Sequence, residues 1–282
     1  MLRKGIALAA FGLTVLAAPA ALANAGAAPV REAEFSFDGP LGTFDQAQLQ
    51  RGYKIYREVC SSCHSMNLLS FRNLGEKGGP FYDPEVKNPN DNPFVKSIAK
   101  DYQINDIDSE TGDVVQRPGT PADRFPNPFP NEAAARASNG GALPPDLSVI
   151  SKARHHGAHY IYSLLTGFKE PPAGLKISAN QYYNPWFPGD LTSAWSGDPA
   201  HVPAGGLIAM APPLAADKVT YDDGTPSTVE NQAKDVAAFL TWASEPTATA
   251  RKQFGLAAMI YLLIFSGLLY ASYRRIWRNV AH

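Results

Sequence analysis

The sequence predicts a mainly α-helical chain with long ordered loops and one membrane-spanning helix near its C-terminal end. Three observations lead there. The 282 residues include 24 prolines and 23 glycines, mostly away from the chain ends, a content that favours irregular loops over sheet. A few stretches repeat apolar residues at intervals of three and four, as the buried face of a helix does. Finally, Gly255 to Ala271 is an apolar run without a single charge.

Residues 1–23 read as a secretory signal peptide: Arg3 and Lys4 are the basic start, Ile6 to Ala18 the apolar stretch, and Ala21-Leu22-Ala23 the small-residue cleavage site. Ala23-Asn24-Ala25 offers a second cleavage site. Residues 24–250 follow as an extracytoplasmic region. Within it, Leu49, Tyr53, Tyr56, Cys60 and Cys63 share one face and predict a helix over 46–66. The proline-rich stretch 117–145 has to wrap around something else rather than fold alone. A second helix is predicted over 148–166, ending at Gly167. A third is predicted over 227–244, with Ser227 and Glu230 as a capping box and Val229, Ala233, Val236, Leu240 and Ala243 as its apolar face. Pro246 then breaks the chain before residues 251–273, the expected transmembrane anchor.

By length alone the anchor could be a buried core helix. Its flanks favour a membrane: Tyr261, Tyr270 and Tyr273 form an aromatic belt, and Arg274, Arg275 and Arg278 mark residues 274–282 as a cytoplasmic tail. Arg251 and Lys252 at the other end weaken this charge asymmetry without reversing it.

Charge points to a class of partner. Setting aside the two basic residues of 1–23 and the five of 251–282, the 25 Lys+Arg fall to 18 against 26 Asp+Glu, a net of −8 for residues 24–250. Acids cluster at Asp101, Asp106, Asp108, Glu110 and Asp113, and again at Asp222 and Asp223. Such a surface argues against nucleic acid and suits a basic soluble partner, while any one cluster could equally serve solubility.

Both cysteines of the chain lie in Cys60-Ser61-Ser62-Cys63-His64. No cysteine remains for a wider disulfide framework, and no second paired motif completes a zinc site. A C-x-x-C-H run is the signature of covalent haem attachment: two thiols add across the vinyl groups, and the adjacent imidazole binds the iron. Export to an extracytoplasmic space, where bacterial c-type haem is attached, agrees with it.

A second axial ligand follows by elimination. Met1 leaves with the signal, Met259 lies in the apolar run, and Met66 is too near His64 to reach the opposite haem face. Met210 remains, unless the ligand is one of His155, His156, His159 and His201. The haem propionates, anions at the edge of an apolar cleft, also need partners, for which Arg154 and Tyr160 are candidates.

Longer motifs carry a resemblance. They include Arg51-Gly52-Tyr53 ahead of the haem motif, Phe125 to Asn131, Asn139 to Ser148, Tyr162 to Gly167, Asn184 to Gly189, Met210-Ala211-Pro212-Pro213 and Asp222 to Pro226. Over most of 44–275 the chain resembles the cytochrome c1 family, the haem-bearing subunits of cytochrome bc1 complexes. The resemblance implies a domain related to class I cytochromes c with one covalent haem c on Cys60 and Cys63. It implies His64 and Met210 as iron ligands, Arg154 and Tyr160 near the propionates, and Asn139 and Pro145 lining the pocket.

It also implies electron transfer from a Rieske iron–sulfur protein to a soluble, basic-faced cytochrome c, beside cytochrome b in a dimeric complex. The haem domain would face the periplasm from a bacterial cytoplasmic membrane, and the isolated chain would not be an enzyme. Two departures stand out. Leu191 to Gly206 is longer than in the mitochondrial pattern, and the extra cysteine pair that pins the Met-bearing loop in some bacterial relatives is missing. Packing by Trp186, Phe187 and Trp195 is the expected substitute. The competing readings are a free-standing anchored shuttle and a haem-based gas sensor.

Overall fold

A computed structural model describes residues 26–279; the signal peptide expected at 1–23 lies outside them. The described chain is mainly helical with little strand, as the sequence predicts. Its helices are α1 (Gln46–Ile55), α2 (Pro93–Lys100), α3 (Glu132–Ser138), α4 (Gly157–Leu165), α5 (Val229–Ser244) and α6 (Ala248–Ile276). Two small antiparallel hairpins join β1 (Gln103–Ile107) to β2 (Val114–Pro118) and β3 (Tyr182–Asn184) to β4 (Gly206–Ile208).

The core is built on the crossing of α1 and α5, with α4 also packed against α5. Leu49 and Tyr53 of α1, with Tyr56 just past its end, meet Val236, Phe239 and Trp242 of α5, all of them buried. The Phe239 ring lies 5.7 Å from those of both Tyr53 and Tyr56. Burying one such side chain contributes about 1.5–3 kcal/mol, so this seam anchors the fold. Gly52 makes the crossing possible: a Cβ there would come within 2.1 Å of the Asp235 carbonyl oxygen. The proline-rich 117–145 stretch does wrap the core. It inserts Phe125 against Phe71, with ring centroids 4.5 Å apart, although it also contains α3.

Three helix boundaries differ from the expectation. The helix over 46–66 ends early: α1 loosens into a π-turn at Tyr56–Cys60, and Ser61 and Ser62 turn their hydroxyls back onto the Arg57 and Val59 carbonyls. Serines that bond locally in this way terminate helices. The helix over 148–166 is only α4. His156 is left-handed at φ 65 and Gly157 has φ +47, so a right-handed helix cannot continue back through them. The cap of α5 is Thr228, whose hydroxyl accepts from the Asn231 amide at 3.2 Å. Ser227 is diverted, its hydroxyl donating to the Val219 carbonyl.

Glu245, Pro246 and Thr247 separate α5 from α6, where Pro246 predicts a break. None of the side chains of α6 is buried. The helix over Ala248–Asn279, whose most apolar 18-residue window has a mean hydropathy of 2.0, is long and apolar enough to cross a membrane, and extends beyond 251–273 on both sides.

The long segment before Met210 packs on a small core of its own, with Leu175, Tyr183 and Leu191 buried and Trp195 against them. Residues 26–31 lace this lobe to α4. Gly205 donates to the Gly26 carbonyl, Ala28 to the Pro185 carbonyl, and the Trp186 indole to the Pro29 carbonyl at 2.8 Å. Arg31 stacks over Trp186 at 4.2 Å while its own amide donates to the Ser163 hydroxyl. Trp186 and Trp195 thus pack as the sequence suggests, but the N-terminal strap is a constraint that no local pattern announces.

Candidate functional site

The C-x-x-C-H motif sits in the turn that ends the π-turn. The Cys63 and His64 amides both donate to the Cys60 carbonyl, at 3.1 and 2.9 Å. Both thiols are free and half-buried. Burial pushes the Cys60 thiol up to about 12, with Cys63 adding to the effect and Lys218 opposing it.

His64 carries the most informative contact. Its Nδ1 is 2.8 Å from the Pro145 carbonyl oxygen. A carbonyl can only accept, so Nδ1 holds the ring hydrogen and Nε2 is left with its lone pair. Nε2 bonds to no other described residue. Burial, the largest influence, lowers the imidazole pKa against the opposing effects of the Pro145 bond and Asp146, so the neutral, ligating form prevails near neutral pH.

Residues 145–148 hold the 64–68 turn through several further bonds. Leu147 donates to the Ser65 carbonyl at 2.9 Å, and the Leu68 amide donates to the Ser148 hydroxyl at 3.0 Å. One Asp146 carboxylate oxygen accepts from the Ser65 hydroxyl at 2.7 Å and the Asn67 amide at 2.8 Å, and the other accepts from the Ser148 amide at 2.9 Å. Burial works to raise the Asp146 pKa, but these bonds to Ser148, Asn67 and Ser65 outweigh it and hold the carboxyl below its usual value. Asp146 and Ser148 therefore join the site, although sequence reasoning assigned them no role. The one available signal was their place in the Asn139–Ser148 motif.

Other residues singled out by the sequence are placed as follows. Met210 lies two residues beyond the end of β4 and is half-buried. Beyond it, Leu214 enters the main core, and Lys218, its ammonium on the Pro213 carbonyl at 2.7 Å, is near enough to influence Cys60. Gln232 of α5 ties the same segment down, donating to the Ala215 carbonyl at 2.7 Å. Of this segment it is Lys218, eight residues beyond Met210, that the structure brings near the cysteine motif.

Arg154 and Tyr160 are also brought together. Burial pushes the Tyr160 phenol up, and the neighbouring Arg154 opposes it. Pro145 reaches His64 through its carbonyl. Asn139 instead closes α3, its amide donating to the Ala135 carbonyl at 2.7 Å.

Among the competing histidines, His159 is engaged on both sides: Nδ1 accepts from Ala33 at 3.3 Å and Nε2 faces Asp38 at 3.7 Å. His201 pairs with Asp198 at 2.8 Å on an exposed loop.

These residues fit a haem. Among the described residues no three His, Cys, Asp or Glu side chains converge as a metal cage. A metal bound through His64 Nε2 would have to bring most of its ligands with it, as a porphyrin does, and two free thiols stand in the motif that attaches one.

The acidic clusters are partly neutralised internally. Asp101 pairs with Arg57, Asp106 with Arg117, Asp222 with Lys54, and Asp223 with Arg51. Asp108, Glu110 and Asp113, at the β1–β2 turn, form no ion pair with described residues.

Comparison with known proteins agrees with the geometry. The model of the cytochrome C1 family matches residues 35–280. Cytochrome b/c1 of Bradyrhizobium diazoefficiens is 40% identical, an alignment covering 98% of this chain and 41% of that protein. The chain thus spans about two fifths of that relative's length. Cytochrome c1 of Rhodospirillum rubrum is 38% identical over 98% of this chain and 97% of its own length. The mitochondrial cytochrome c1 haem protein of Saccharomyces cerevisiae is 44% identical over 81% of this chain and 65% of that protein.

Proposed function

Because the chain belongs to the cytochrome c1 family, we propose that it is the membrane-anchored electron-transfer subunit of a quinol–cytochrome c oxidoreductase, a cytochrome bc1 complex. The observation that carries this reading is His64, whose Nδ1 is committed to Pro145 and whose Nε2 is free, one residue beyond Cys63. Cys60 and Cys63 would hold haem c covalently, and His64 and Met210 would ligate its iron. When bound, haem c supplies a one-electron iron couple, which neutral His/Met ligation shifts to higher potential.

The chain's own residues orient and insulate that couple. The Pro145 carbonyl fixes the tautomer and rotation of His64. Asp146 and Ser148 hold the turn that carries it. Arg154 and Tyr160 meet the propionates, and Asn139 and Pro145 complete the pocket wall. On this reading the chain takes single electrons from a Rieske iron–sulfur protein and delivers them to a soluble cytochrome c with a basic face, beside cytochrome b in a dimeric complex. Helix α6 fixes it in a bacterial cytoplasmic membrane with residues 24–250 in the periplasm. The chain alone catalyses nothing.

A reduced-minus-oxidised visible spectrum of the protein purified from native membranes in mild detergent tests this. Signals from b and c haems together are expected. A c signal alone from intact material would replace the complex by a free-standing anchored shuttle. Absence of any c signal would overturn the haem assignment.

A further inference from the structure

Where α6 leaves the domain, Phe37, Phe44, Ser151, Lys152, Glu245 and Arg251 line a cavity of about 250 Å³. Lys252, also on its wall, donates to the Phe37, Gly39 and Gly42 carbonyls and serves as a structural pin. Glu245 is shared by two cations, pairing with Lys152 at 3.1 Å and with Arg251 through Nε. Three cations and one carboxylate leave a net +2, and neither the outer guanidinium nitrogens of Arg251 nor the full ammonium of Lys152 is used up.

Depth identifies the ligand. The uncharged stretch from Gln253 to Tyr273 is about 31 Å long as a helix, which matches the hydrocarbon thickness of a bilayer. Arg251 therefore stands at the level of the lipid phosphates on the domain side. The cavity lining combines these cations with Phe37 and Phe44, and the apolar surface of α6 continues from it.

We propose that this cavity binds the headgroup phosphate of an anionic phospholipid of the outer leaflet, with Arg251 and Lys152 as its ligands. The site rests on α6 spanning the membrane and is independent of the haem assignment. It explains why basic residues stand at the end of the anchor where charge asymmetry disfavours them.

Native mass spectrometry tests this on the full haem-loaded chain in detergent, titrated with dioleoylphosphatidylglycerol or dioleoylphosphatidylcholine. Phosphatidylglycerol should bind about tenfold more tightly, and Arg251→Ala or Lys152→Ala should abolish that preference. Lys152→Arg should preserve it. Glu245→Gln removes the competing carboxylate and should tighten binding, which keeps the proposal falsifiable if an alanine variant misfolds. Equal retention of both lipids, or a preference that survives Arg251→Ala and disappears only when Arg274, Arg275 and Arg278 are replaced, would overturn the site. Displacement of the lipid by millimolar inorganic phosphate would show a soluble-anion site and refute the lipid assignment. Loss of membrane association by the wild-type chain would refute the anchor reading instead.

Discussion

The imidazole of His64 is oriented by the backbone of Pro145, with Nδ1 and the carbonyl oxygen 2.8 Å apart. The two residues are 81 positions apart in sequence, so the bond is only as secure as the clamp between 64–68 and 145–148. Asp146 is the centre of that clamp.

Replacing Asp146 with Ala should remove the acceptor of the part-buried Ser65 hydroxyl and of the exposed Asn67 amide, at about 0.5–1.5 kcal/mol for each lost bond. A urea melt should show the loss. Acid dependence provides a second readout. The folded-state pKa of Asp146 lies below the ordinary 3.8, so its contribution is present above that value and is lost as pH falls through the lowered one. Wild type should lose more stability than Asp146→Ala below about pH 4, and parallel acid limbs would refute the assignment.

Arg51 and Asp235 form a nearly buried pair at 2.8 Å, with the Asp235 side chain 4% exposed. Arg51→Ala leaves that carboxylate with Gln48 as its remaining side-chain partner and should cost about 3–5 kcal/mol. Adding Asp235→Asn should recover part of this. A double variant no more stable than Arg51→Ala would mean the pair is not what holds α1 to α5.

Gly52→Ala tests the helix crossing separately. The new methyl would meet the Asp235 carbonyl oxygen at 2.1 Å and the Phe239 Cβ at 2.6 Å. Overpacking of this kind costs about 1–3 kcal/mol. The denaturation midpoint should fall with an unchanged slope, whereas an unaltered midpoint would show that α1 can shift freely.

Covalent attachment is read directly on a denaturing gel stained for haem. Cys60→Ala and Cys63→Ala should each keep a weaker haem band through the remaining thioether, and the double variant should have none. Haem staining of the double variant would disprove the attachment.

If the acidic surface steers a basic cytochrome c, its reduction by the complex should slow steeply with salt. Because Asp222 and Asp223 are paired with Lys54 and Arg51, neutralising Asp108, Glu110 and Asp113 should flatten the salt response more than neutralising those two. The reverse order would place docking at the 222–223 turn.

Chemistry that depends on neighbours in the chain was legible from the residues alone: the C-x-x-C-H spacing, the uncharged run of the anchor with its tyrosine and arginine flanks, the apolar face of α5, and the break at Pro246. Each is a local pattern of spacing or composition, which tertiary contacts do not rewrite. Tertiary structure decided what local patterns leave open. Ser61 and Ser62 end the α1 region early, and the left-handed His156 halves a helix that periodicity would have drawn to full length. The tautomer of His64 depends on a carbonyl 81 residues away, the lobe before Met210 is secured by residues 26–31, and the segment after it by Gln232. A backbone carbonyl has no sequence signature. A long-range hydrogen bond becomes favourable only after the core has brought its partners together, so such contacts follow from the fold and could not be read from the residues.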